Sequence, residues 1–155
     1  MAKKPLLRAL RNPAWLCFTW FGITAGVSLL ATPARFSAGS VTRPIALDVG
    51  REVFAVLNKA ELVLLVALLI LVRTSGDARR FLLTAAALTL IVVAQSAWLL
   101  PELSARTDMV LAGQTPPPSM AHAAYSILEL LKLALLLWTG FSALAGARGS
   151  ESGLR

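Results

Sequence analysis

Long apolar runs alternate along the chain with shorter polar connections. Ala14 to Ala34 carries no charge over 21 residues, and Phe81 to Pro101 carries none over another 21. At about 1.5 Å per residue, each is long enough to cross a hydrocarbon core of roughly 30 Å. Two further runs are interrupted: Val53 to Val72 by Asn58, Lys59 and Glu61, and Met120 to Phe141 by His122, Glu129 and Lys132. The pattern predicts four helices, at 14–34, 44–72, 80–101 and 119–144. Pro44 suits the opening turn of the second helix, and "PIALDVGREVF" extends that helix past the membrane. "PELSARTDMVLAG" carries the third helix beyond Pro101 until Gly113, and the prolines at 116–118 then favour a stiff extended connection.

The polar interruptions share a level and a face. In the fourth helix, Tyr125, Ser126, Glu129 and Lys132 fall with His122 within about 120° of arc. If this helix enters the membrane near Met120, Glu129 lies roughly 13 Å down and Lys132 roughly 18 Å down. Asn58 and Glu61 form a same-face pair on the second helix at a matching depth. Gln95 and Trp98 reach that level on the third. A charged side chain costs about 2.5 to 3.5 kcal/mol or more at a helix centre facing lipid, so these groups are expected to face the bundle interior. The predicted site is therefore a polar layer of Asn58, Glu61, Gln95, Trp98, His122, Tyr125, Ser126, Glu129 and Lys132, open to the extracytoplasmic side.

Composition agrees with the pattern. The chain is 57% hydrophobic and 15% charged, against about a quarter charged in soluble domains. Most of the net charge of +7 is a topology signal. Lys3, Lys4, Arg8 and Arg11 precede the first helix, Arg73, Arg79 and Arg80 flank the turn after the second, and Arg148 and Arg155 follow the fourth. The opposite loops hold only Arg35, Arg43, Arg51 and Arg106. Positive-inside bias then puts both termini in the cytoplasm. The fold class is an all-α, integral membrane, antiparallel four-helix bundle, with a basic tail at 1–13, one transmembrane domain at 14–144 and a second tail at 145–155. A multi-pass protein of a bacterial inner membrane is the expected setting. The first apolar run is longer than the core of a signal peptide and reads as retained.

Chemistry is narrowed mainly by what is missing. One cysteine, Cys17, inside an apolar run excludes a disulfide framework and reads as a packing residue. One histidine excludes bis-histidine haem ligation within the chain. Glu61, His122 and Glu129 match no metal-binding spacing, and no nucleotide-loop, zinc-protease or hydrolase-elbow motif occurs. No cofactor, metal, catalytic residue or nucleic-acid partner is expected. Gly22 and Gly26 have the GxxxG spacing that permits close helix approach, serving either a tight bundle or a homo-oligomer. Three readings of the polar layer stay open. It binds or conducts a small ligand, a cation or a proton shared by Glu61 and Glu129; it fixes helix packing, with Glu129 paired to Lys132 or Lys59, in an accessory subunit of a larger membrane complex; or it is an acid/base enzyme using His122 and Glu129.

Several stretches carry a family likeness: "WFGITAGVSLLATPARFSA", "VFAVLNKAELVL", "AQSAWLLPELSARTDMVLAG" and "HAAYSILELLKLALLLWTGF". Together they resemble the small four-helix membrane proteins related to transmembrane protein 205 and their bacterial counterparts. The likeness runs from Trp20 to Phe141. It is most specific at Trp98, Pro101 and Arg106, at His122 and Ser126, and in the "PARF" corner of Pro33 to Phe36. The resemblance implies a four-helix membrane fold, and in eukaryotic members an association with drug tolerance, but no defined biochemical activity.

Overall fold

The computed structural model describes residues 12–74 and 78–152. The basic segment up to Arg11, the turn at Ser75 and Gly76, and Arg155 lie outside the described residues. Every described element is helical, and four helices are long and apolar enough to cross a membrane: Ala14–Ser37, Arg43–Thr74, Arg79–Leu111 and Ala121–Ala147. The last helix continues to Ser152, so up to that residue the segment expected as a tail from 145 is a helical extension.

Side-chain oxygens and one glycine set the helix ends. Asn12 accepts the backbone N–H of Ala14 at 2.9 Å through its side-chain oxygen, and its amide donates to the Ala143 carbonyl at 3.3 Å, pinning the start of the first span to the fourth. Ser119 accepts the N–H of Ala121 at 3.1 Å, which caps the fourth span, and donates to Glu102 at 2.6 Å. Gly113 ends the third span in the left-handed region at φ 75°. Gln114 N–H there reaches back to the Met109 carbonyl at 2.8 Å and Gly113 N–H to Val110 at 3.0 Å, satisfying carbonyls that the helix leaves open.

Two of the spans are not uniform α-helix. The first passes through a π-helical segment, Gly26–Ala31, and the third through Gln95–Leu99. In each, an N–H bonds five residues back, Thr32 to Val27 and Leu100 to Gln95. A proline follows within two residues, Pro33 and Pro101. Proline has no N–H for the carbonyl four residues earlier, and the widened turn accommodates the break without ending the helix.

The first span packs most closely on the fourth, and the second on the third. Two apolar clusters result. One joins Leu16, Cys17, Trp20, Leu65, Leu68, Leu88, Val92 and Leu136. The other joins Leu99, Ala121 and Tyr125 with Phe54 and Leu103. The outer surface is also apolar, with Leu30, Val63, Leu83 and Leu90 among the exposed side chains, as expected where lipid rather than water is the solvent. Gly22 and Gly26 meet none of this packing, since a methyl group added at either would have no neighbour within 4 Å. That GxxxG face is turned away from the bundle.

Candidate functional site

Between the two apolar clusters lies a polar layer to which all four spans contribute. In chain order it falls between Trp20 and Ser28 on the first span, at Glu61 on the second, at Gln95 on the third, and at Glu129 and Lys132 on the fourth. Lys132 is its centre. Its ammonium lies 2.6 Å from Glu61 Oε1 and 2.7 Å from Oε2, 2.9 Å from Gln95 Oε1 and 2.9 Å from Glu129 Oε2. The lysine and Gln95 are wholly buried, Glu61 is 1% exposed and Glu129 is 3% exposed.

The two carboxylates are held differently. Glu61 Oε1 also accepts the indole N–H of Trp20 at 3.0 Å and the hydroxyl of Thr24 at 2.9 Å, so both of its oxygens are occupied by donors. Glu129 Oε2 accepts the Gln95 amide at 2.8 Å and forms an ion pair with Lys132. Its other oxygen, Oε1, meets the Ser28 hydroxyl at 2.6 Å. Gln95 is therefore a bridge, accepting from Lys132 and donating to Glu129. Formally the layer holds two negative charges and one positive.

The site residues expected from sequence divide into three groups. Glu61, Gln95, Glu129 and Lys132 come together in one hydrogen-bonded network. Asn58 and Tyr125 sit beside it: Asn58 donates to Ser96 at 2.7 Å, and the Tyr125 ring stands edge-on to Phe54 at 5.4 Å. His122, Ser126 and Trp98 do not join it. His122 is exposed, Ser126 turns its hydroxyl back onto the His122 carbonyl at 2.9 Å, and Trp98 is 63% exposed. Lys59, the alternative counter-ion, is also exposed. Glu61, Gln95, Glu129 and Lys132 are packed shut rather than open, with Tyr125 and Leu99 buried beside them, and Ser28 is half-buried at the edge of the layer.

Trp20, Thr24 and Ser28 are the members that the sequence reading missed. They recur every fourth residue, on one face of the uncharged stretch from Ala14 to Ala34. That spacing is the signal, but without a partner it looks like ordinary helix composition. Among the described residues no group of three or more His, Cys, Asp or Glu side chains is placed to hold a metal ion. In a second ionic cluster Arg51 pairs with Asp48 at 2.5 Å and with Asp108, joining the second span to the third.

The chain matches no protein-family model, no curated protein and no solved structure.

Proposed function

We propose that this small multi-pass membrane protein carries one exchangeable proton in its buried layer, held on Glu129 Oε1 against the Ser28 hydroxyl. The observation behind this reading is the ratio of charges: two carboxylates face one ammonium, and all three of these side chains are at least 96% buried. A lone uncompensated charge is costly at that depth. One added proton makes the layer neutral. Lys132 donates to Glu61 and Gln95 and forms an ion pair with Glu129, so it is already the resident cation, which favours a proton over a metal ion. Each oxygen of Glu61 meets a group that can only donate, the Trp20 indole or the Lys132 ammonium, whereas Glu129 Oε1 meets the Ser28 hydroxyl, which can donate or accept. When Glu129 holds it, the carboxyl O–H donates to Ser28; when the proton leaves, the Ser28 hydroxyl rotates and donates back.

We further place the four spans antiparallel, both termini in the cytoplasm, and the protein in a bacterial inner membrane, from the distribution of Lys and Arg. Ser28 then lies on the extracytoplasmic side of the layer. The likeness to relatives of transmembrane protein 205 suits this architecture and supplies no activity. Infrared spectroscopy of the protein in lipid nanodiscs tests the reading. Wild type should show the carbonyl band of a protonated carboxylic acid at neutral pH. Glu129→Gln should abolish the band. Glu61→Gln should abolish it as well, because one carboxylate and one ammonium then balance. Absence of the band from wild type would overturn the proposal.

One observation favours a second reading, a purely structural layer. Every named group in the network has a partner, and the network ties four spans together.

A further inference from the structure

At the end of the bundle away from Gly113, a groove of about 760 Å³ opens between Arg80 on the third span and one face of the fourth. Its wall is formed by Ala134, Leu137, Trp138, Phe141 and Ala145. These residues recur three and four apart, so they make one stripe along the helix, about 16 Å long. That matches half of a hydrocarbon core of roughly 30 Å, the depth of a single leaflet. Trp138 is 69% exposed and Phe141 62%. In a membrane-spanning chain such a wall faces acyl chains.

Arg80 sits at the mouth of the groove and is anchored there. Its Nη2 donates to the Ser142 carbonyl at 2.9 Å, and its guanidinium carbon lies 5.6 Å from the centre of the Phe81 ring. Gly146 gives it a seat, because a methyl group there would collide with Nη1. Arg80 forms no ion pair with a carboxylate among the described residues. Arg79 beside it is exposed and likewise has no such pair. Asp77, the nearest acid in sequence, lies outside the described residues. A guanidinium fixed across two helices still has donors to spare, in a fork that suits a phosphate.

We propose that this groove is a binding site for an anionic phospholipid, with its phosphate at Arg80 and one acyl chain along Phe141, Trp138 and Ala134. Charge complementarity selects the anionic headgroup over a zwitterionic one. The apolar wall selects a lipid over free phosphate. The inference is independent of the proton on Glu129.

The test uses the full chain in detergent micelles, titrated with phosphatidylglycerol or phosphatidylcholine bearing brominated acyl chains. Quenching at Trp138 is obtained as the difference between wild type and Trp138→Phe. Phosphatidylglycerol should quench at about fivefold lower concentration, the scale of one basic side chain acting on an anionic lipid. Arg80→Gln should abolish that preference. Gly146→Ala, which keeps the charge but removes the seat, should weaken it. Inorganic phosphate should leave the quenching unchanged. Equal quenching by the two lipids, full preference in both variants, or displacement by inorganic phosphate would each refute the proposal.

Discussion

Lys132 reaches three acceptors from three different helical positions, and Glu129 owes one of its oxygens to that ammonium. Their substitutions should therefore differ in cost. Lys132→Met leaves two carboxylates buried without a cation and should destabilise by about 3 to 5 kcal/mol. Glu129→Gln mimics a protonated carboxyl: its oxygen still accepts from Lys132 and Gln95, and its amide donates to Ser28. That change should cost less than about 1 kcal/mol. Thermal unfolding in one detergent compares the two; equal losses would make Glu129 an ionised partner and the layer scaffolding. At this scale the charged members of the layer were legible, because an ionisable group inside an apolar run has few places to go. His122 was misplaced for a geometric reason. The buried arc of the fourth span centres on Tyr125, Glu129, Lys132 and Leu136, and His122 and Ser126 lie at its edge.

The π-helical segments explain the other misplacement. Gln95 and Trp98 were expected together because they reach one level, and in a regular α-helix residues three apart also lie on neighbouring faces. With bonds reaching five residues back, the residue that returns to the face of Gln95 is Leu99, which is fully buried while Trp98 points outward. A π turn holds one residue more than an α turn, which gives a register prediction. Deleting Ala97, an exposed member of the segment, should restore an α turn and keep Gln95 and Leu99 facing the bundle, with a thermal midpoint close to wild type. Deleting Leu90, equally exposed but in α-helix, should turn the two parts of the span about 100° against each other and take Gln95 out of register with Leu88. The layer would lose its bridge, at roughly 1 to 3 kcal/mol for each stranded partner. Similar thermal midpoints for the two deletions would contradict this account. The sequence carries the third helix past Pro101 to Gly113, as observed, but proline alone does not announce the widened turn before it.

For the whole molecule, the basic residues predict that the turn after the second span and the loop after the third face opposite sides of the membrane. Single cysteines at Ser75 and Gln114, in a Cys17→Ser background, should be labelled from opposite faces of sealed vesicles by a membrane-impermeant maleimide. Labelling of both from one face would reverse the topology argument. Cys17 is fully buried, so it should contribute little label even before replacement. Four apolar runs of sufficient length, the break at Gly113, and the presence of charge within two of them were determined by the sequence alone. Those properties follow from local composition and from the thickness of a bilayer. Tertiary structure decided which polar groups meet. Whether Trp20, Thr24 and Ser28 face Glu61 and Glu129, or whether Lys132 rather than Lys59 supplies the ammonium, depends on the rotation of each helix about its own axis. That rotation is set jointly by packing across four spans and by two π turns, and no single apolar run encodes it.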